Sequence, residues 1–282
     1  MSKNEVVSKF SIKVKKPYSL ELTALSHGWV NLLPYSWCSK TSELTRIEYI
    51  HPQNKSIRLS IKQKKPSEVN IIAISTTKLG NLELKTLKER LSRALSTNTD
   101  TNELLILAKR INLKVAKLVS SGGGRILRGT SIFEDIIKTL FTTNASWSFT
   151  KSMVKNLIDN YGVEGSFPNH ILLKNISANE FRSKIRSGYR SNSLVEIVKI
   201  FSTEKQYEEK LPGLGKYGMA HVGILNNSFS VIPIDSEVRS FCRNKLNLRN
   251  DIEISDYFKK WGKFAFLGYK LYRQSIGINW IG

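Results

Sequence analysis

Between residues 10 and 76 apolar and polar residues alternate in short runs, at 10–14, 44–49, 56–62 and 69–74, with turn-forming segments at 52–54 and 64–67. A period of two predicts strands, and short strands joined by turns predict an antiparallel sheet with one face on a core. From Leu82 the spacing lengthens. Leu82, Leu87, Leu91 and Leu95 mark one helical segment, and Leu104, Leu105, Leu107, Ala108, Ile111, Val115 and Leu118 mark another, before a glycine-rich break at 121–125. Beyond it Ile132, Ile136, Ile137 and Leu140 share one helix face, and Met153, Val154, Leu157, Ile158 and Tyr161 share another that ends at Gly162. Further helices are predicted over 178–186, 191–202, 204–211, 217–226, 236–246 and 254–275. The fold expected is α+β: a small N-terminal antiparallel β-sheet domain over 1–80, then a helical domain over 81–282.

Charge narrows the field of partners. Lys and Arg number 44 against 23 Asp and Glu, a formal charge of +21 on 282 residues. The excess is spread over both halves of the chain, so it is a property of the folded surface and not of a basic tail. Such a field favours a polyanion, most simply nucleic acid, with an anionic membrane surface or an acidic protein as competitors. No run of about 18 apolar residues suggests a membrane span. Residues 1–16 lack the apolar stretch of a signal peptide, and the chain is read as soluble and intracellular. Two cysteines, Cys38 and Cys242, exclude a disulfide scaffold and a four-cysteine zinc or iron–sulfur cluster within one chain. The four histidines make no H-x₃₋₅-H or H-E-x-x-H spacing, so no metal site is expected.

Residues 211–218, LPGLGKYG, contain G-x-G-x-x-G at Gly213, Gly215 and Gly218. A dinucleotide fingerprint needs a strand directly before the first glycine, and 204–210 are polar and helix-favouring. The pattern reads instead as helix, tight turn, helix. Pro212 stops one helix, Gly213 and Gly215 permit unusual backbone angles and close approach, and a second helix starts near Lys216. Its free N–H groups, its positive end and the Lys216 charge suit a phosphate. A plain connecting turn is the other reading of this spacing.

The turn is followed by Met219 and Ala220, and then by residues 231–239, VIPIDSEVR. Together these resemble the hairpin-plus-aspartate signature of the helix–hairpin–helix (HhH-GPD) DNA glycosylases. That superfamily includes endonuclease III, the adenine and 8-oxoguanine glycosylases and the bacterial alkyladenine glycosylase. The stretch from Gly124 to Asn144 is similar to the family's first core helix with its polar plug, and 187–190, SGYR, resembles a segment of the 8-oxoguanine branch. A β-rich N-terminal domain also resembles the 8-oxoguanine and alkyladenine branches. The motif-bearing core is 124–245.

The resemblance implies roles that the residues alone leave open. Asp235 matches the catalytic aspartate, which stabilises an oxocarbenium-like sugar as the N-glycosidic bond breaks. It also reads as an ordinary N-cap. Tyr217 and His221, one turn apart, would line the pocket for the extruded base, or serve as a half-buried aromatic and a core histidine. Asn144 matches the plug, or a helix C-cap. Tyr189 resembles the wedge and Arg190 the residue that meets the estranged base; a surface turn is the alternative. Gly213, Gly215 and Lys216 would grip the sugar-phosphate strand.

Bifunctional members carry a lysine where Tyr217 stands, and Lys216 is one place earlier, turned by about 100° on a helix. The expected enzyme is therefore a monofunctional DNA N-glycosylase using an aspartate-assisted water. A bifunctional glycosylase/lyase of 8-oxoguanine type and a non-catalytic duplex-binding protein are the alternatives. Phe149 stands where the 8-oxoguanine branch has a further arginine, against strict 8-oxoguanine:C specificity. Trp29, Trp37 and Trp147 could supply an electron-rich pocket of the alkyladenine kind. The resemblance implies no required cofactor, no iron–sulfur cluster and a monovalent cation at the hairpin carbonyls. The implied partner is double-stranded DNA containing a lesion or mismatch, bound by a monomer in the cytoplasm or nucleoid, or in the nucleus of a eukaryote.

Overall fold

The structure, a computed structural model, describes residues 5–203 and 210–278. Its elements run in chain order as β1 Val6–Lys13, α1 Leu20–Ala24, a 3₁₀ turn Gly28–Asn31, β2 Ser36–Cys38, β3 Glu43–Ile50, β4 Lys55–Lys65 and β5 Glu68–Ser75. Helices follow: α2 Asn81–Ala94, α3 Asn102–Ile111, α4 Leu113–Ser120, α5 Ile132–Thr142, α6 Trp147–Tyr161, α7 His170–Leu173, α8 Ala178–Ile185 and α9 Arg190–Ser202. The chain closes with α10 Lys216–Leu225, α11 Ser236–Leu246, α12 Asp251–Lys259, a 3₁₀ turn Gly262–Phe264 and α13 Ala265–Ser275. The α+β expectation holds. Among the described residues no helix is long and apolar enough to cross a membrane.

The five strands form one antiparallel sheet in the order β1-β5-β4-β3-β2. Alternation drives it, since Ile57, Leu59 and Ile61 of β4 and Val69, Ile71 and Ala73 of β5 face the core while their neighbours face out. On β3 the buried face carries Leu44 together with Arg46 and Glu48. Between β1 and β3, where no strand was expected, lie α1, the 3₁₀ turn and the short β2, with the Ser19 side chain capping α1 by accepting from Leu22 N–H at 3.2 Å. Helix α2 is bound to the sheet by Lys55–Glu83 at 2.5 Å and by Arg90 donating to Glu48 at 3.2 Å.

Helix α5 runs through the middle of the protein, and Phe133 to Phe141 are all buried. Two helices expected to be continuous are broken. Asn112 ends α3 and caps α4, its side chain accepting from Val115 N–H at 3.1 Å. Gly262, in the left-handed region at φ 53°, separates α12 from α13 and lets the buried Trp261 pack across Gly268. The helix expected at 204–211 falls largely on residues 204–209, outside the described residues.

Candidate active site

The glycine turn delivers the start of α10 to the surface. Gly213 is left-handed at φ 75°, and a Cβ there would meet Ser193 Oγ at 2.6 Å and Leu140 Cδ1 at 2.8 Å. Glycine is thus required twice over, by backbone angle and by packing against α9 and α5. Leu214 is buried beneath the turn, while Gly213, Gly215 and Lys216 are exposed. Gly215 is the N-cap of α10 and provides no side-chain cap. The first-turn N–H groups therefore open outwards, with the helix's positive end and the Lys216 ammonium beside them. Among the described residues no strand lies directly before Gly213, as a dinucleotide fingerprint would need.

Asp235 is the N-cap of α11, and the capping and chemical readings hold together. Its Oδ1 accepts from Val238 N–H at 2.8 Å, and its Oδ2 accepts from the Tyr217 hydroxyl at 3.1 Å. The carboxylate is half-buried, so it is held in place without being sealed off. Burial raises the Tyr217 hydroxyl above its ordinary range, and the neighbouring Asp235 adds to this, so the phenol remains a donor to the carboxylate.

One turn along α10 the His221 ring lies 6.1 Å from that of Tyr217. Its Nε2 is 3.1 Å from His27 Nε2, contributed by the segment ahead of the 3₁₀ turn. Trp29 closes the group, with ring centroids 4.3 Å from His27 and 5.5 Å from His221, and its indole N–H donates to Asp135 at 2.7 Å. Burial lowers His221 to about 4, aided by the charge of Lys270, and burial likewise lowers His27. Both imidazoles are therefore neutral at neutral pH. Trp37 and Trp147 pack against the core from β2 and the start of α6, so of the three tryptophans Trp29 is the one brought to this group.

The last helix supplies the remaining wall. Arg273 donates to the Tyr269 hydroxyl at 2.8 Å and to Glu237 at 2.7 Å. Lys270 is half-buried on the same helix. With Leu25, Ser26 and Arg273 it lines a cavity of about 10 Å³, room for roughly one water. His27, Lys270 and Arg273 are residues that reading the sequence did not single out. For Lys270 the available signal was a charged side chain set in an otherwise apolar helical stretch, 265–272.

A second group lies where α5 ends. Asn144 is left-handed at φ 44°, and its side chain donates to the Tyr189 hydroxyl at 3.4 Å. Tyr189 is 58% exposed, whereas the neighbouring Arg190 is buried and donates to Thr143 O. The Arg190 guanidinium lies 4.5 Å from the Tyr189 ring and 5.9 Å from the partly exposed Phe149. Arg190 thereby ties together the two loops that present Asn144 and Tyr189.

No family model matches the chain, and no curated protein matches it. Solved structures do. The 3-methyladenine DNA-glycosylase from Archaeoglobus fulgidus is similar with a TM-score of 0.72 at 15% identity, over 95% of this chain and 99% of that one. The 8-oxoguanine glycosylase/lyase of Clostridium acetobutylicum is similar in its apo-form with a TM-score of 0.67 at 17% identity, over 95% of this chain and 97% of that one. The same Clostridium acetobutylicum enzyme, in complex with dsDNA containing cytosine opposite to 8-oxoG, gives a TM-score of 0.63 at 17% identity, over 97% and 99% of the two chains. From sheet to last helix, this chain has the fold of the DNA glycosylases.

Proposed function

We propose that the chain is a base-excision DNA glycosylase of the helix–hairpin–helix superfamily, monofunctional, that extrudes a damaged or mismatched base and hydrolyses its N-glycosidic bond. The observation that carries this reading is the half-buried Asp235 carboxylate, oriented by Tyr217 and Val238, beside a hairpin whose helix N-terminus faces outwards. The hairpin, with Gly213, Gly215 and Lys216, holds the backbone of the lesion strand. Asn144 and Tyr189 fill the gap left by the flipped nucleotide, and extrusion costs least for weakly paired bases. As the bond from C1′ to the base breaks, its electron pair leaves with the base and positive charge develops on the sugar. Asp235 stabilises that charge and takes a proton from the water that adds at C1′. Lys216 is exposed at the start of α10, a place suited to a phosphate contact.

In this reading residues 1–80 are a flanking β domain that lends His27 and Trp29 to the pocket of the 81–282 domain. The enzyme acts as an intracellular monomer on lesion-bearing duplex. No cofactor is called for. The backbone at Gly215, where a Cβ would meet nothing within 4 Å, is uncovered enough to suit a monovalent cation at the hairpin carbonyls as well as a phosphate.

The test is a panel of duplexes, each with one defined lesion, assayed for abasic sites by alkaline cleavage. Asp235→Asn is expected to lower base release at least ~10³-fold, on the scale of losing an essential transition-state contact, while duplex affinity stays within a few-fold. Release unchanged by this substitution, or lost together with binding, refutes the catalytic assignment. Efficient borohydride trapping by the native protein refutes the monofunctional one.

A further inference from the structure

The loop after α5 and the start of α9 form a rim whose hydrogen bonds run inwards. The Tyr189 hydroxyl donates to Thr143 O at 3.3 Å and accepts from Asn144 Nδ2 at 3.4 Å. The Arg190 guanidinium donates to that same carbonyl, the residue is only 3% exposed, and its Nε is sealed from solvent. Ser146 accepts from Phe149 N–H at 3.2 Å and so caps α6. What the rim turns outwards is aromatic: the exposed rings of Tyr189 and Phe149, 4.5 Å and 5.9 Å from the Arg190 guanidinium. The exposed Asn144 amide beside them carries both donor and acceptor and suits either kind of base edge.

We propose that this rim meets the base opposite the flipped nucleotide through ring faces and not through hydrogen bonds, so that the enzyme is indifferent to that base and its substrate is a base damaged in itself, not a normal base in a wrong pair. The inference rests on the glycosylase reading and names the substrate class of that same site. With Asn144 and Tyr189 in the gap, the opposite base stays in the duplex and faces whatever flanks the filling. Base edges are told apart by donors and acceptors fixed in space, and a bidentate contact separates the right base from a wrong one by at least about fivefold. Stacking does not discriminate in this way, because every base has a π-face. Arg190, which the resemblance casts as the residue meeting the estranged base, is buried and bonded to Thr143 O, and its ring neighbours take its place.

The consequence for the substrate is chemical. Thymine opposite guanine, or adenine opposite an oxidised guanine, is a normal base, and only its partner betrays the error. An enzyme blind to the partner would strip such bases from ordinary pairs, so its pocket must refuse them. An alkylated, deaminated or oxidised base carries its own mark and can be recognised once extruded, whatever stood opposite.

The experiment compares native protein, Phe149→Ala and Phe149→Trp, with thermal melts to verify folding. Affinity is measured by fluorescence anisotropy on duplexes holding a tetrahydrofuran abasic analogue opposite each of the four bases, and on an intact duplex. The native affinities for the four are expected to agree within about fivefold, below what a bidentate reader produces. Phe149→Ala should weaken all four alike by about tenfold, on the scale of one base–aromatic stack, with a smaller loss on the intact duplex. Phe149→Trp, which keeps a ring, should restore most of that loss. In a second arm, single-turnover release of hypoxanthine, uracil or N7-methylguanine should vary as little with the opposite base, and thymine opposite guanine should stay in place. A wider native spread, a Phe149→Ala loss that is nil or confined to one opposite base, an equal loss on intact duplex, or excision of thymine opposite guanine would each overturn the inference. A native protein that binds the abasic-analogue duplexes no better than the intact one would refute the glycosylase reading, and the inference with it.

Discussion

Two groups of ionisable residues, one buried where β3 meets α5 and one partly buried around the hairpin, are arranged on different principles. Where β3 meets α5, charges are matched. Arg46 pairs with Glu48 and with Glu134 at 3.1 Å, Lys138 meets Glu134 at 2.7 Å, and Arg93 meets Asp135 at 2.7 Å. Thr130 and the Gly129 N–H add hydrogen bonds to the Glu134, Glu48 and Asp135 carboxylates. Around the hairpin the bases outnumber the acids: His27, His221, Lys270 and Arg273 stand against Asp235 and Glu237. Burial is complete for Arg46, Glu48, Glu134, Asp135 and Lys138 in the seam, whereas around the hairpin Asp235 and Lys270 are half-buried and Glu237 is exposed, and the consequence differs as well. In the matched seam burial would raise Glu134, and Arg46 and Lys138 instead hold it at about 2. At the hairpin His221 is lowered to about 4 and Lys270 to about 7, while Arg273, bonded to Glu237 and Tyr269, is held in its charged form. A buried group with a full partner is fixed in one protonation state, and a buried group in a like-charged setting is available for proton transfer.

The largest effect that would break this contrast is on stability. Glu134→Ala leaves Arg46 and Lys138 buried with their shared carboxylate gone, and is expected to cost about 3–5 kcal/mol in a denaturant titration. The pH dependence has a definite sign. Glu134 is depressed when folded, so its contribution is complete above the ordinary carboxylate range, near 4.5, and is lost as pH falls towards about 2. Asp135, raised by burial against the pull of Arg93, works in the other direction. The native protein should therefore lose stability below about pH 4.5 more steeply than Glu134→Ala does. An equally steep acid limb in the variant would mean that the seam is not where the acid sensitivity lies.

The next effect tests whether the site's geometry is imposed from below by the core. Gly213→Ala places a Cβ at φ 75° against Ser193 and Leu140. The left-handed backbone alone costs about 1–2 kcal/mol, and the contacts add to it. Melting temperature should fall, and lesion-duplex affinity should fall with it because Leu214 and the start of α10 shift. Gly215→Ala, with nothing within 4 Å of its Cβ, should leave the melt nearly unchanged. If both variants melt like the native protein, packing beneath Gly213 does not set the turn.

The same contrast explains what the sequence could disclose. Local patterns were legible: the alternation of β4 and β5, the apolar faces of α5 and α6, the glycine turn, and an aspartate at a helix start. The matched seam was not, because Arg46 and Glu48 occupy positions in β3 where alternation puts inward-facing residues, and their partners lie more than eighty positions on. The helix breaks at Asn112 and Gly262 were missed because apolar spacing continues across them, and only capping and a left-handed φ reveal the stop. The pocket was half legible. Tyr217, His221 and Asp235 fall within one motif, but His27 is 194 positions from the histidine that it touches. Lys270 carries one signal, a charge in the otherwise apolar stretch 265–272, which marks it as partly buried without saying what it touches.

The smallest effect is the most discriminating. Tyr217→Phe removes one of the two hydrogen bonds that orient Asp235 and leaves the ring, its stacking surface and the His221 neighbour in place. A hydrogen bond to a charged group contributes about 1.5–3 kcal/mol, but Val238 N–H still holds the carboxylate, so a fall of about tenfold in base release is expected with little change in melting temperature. The phenol is raised above its ordinary range by burial and by Asp235 itself, so it donates at every pH where the protein works. The deficit of the variant should therefore be the same at pH 6 and at pH 9. A deficit that shrinks as pH rises would mean that the native phenol ionises, and Tyr217 would then act by exchanging a proton and not as a hydrogen bond that holds Asp235 still.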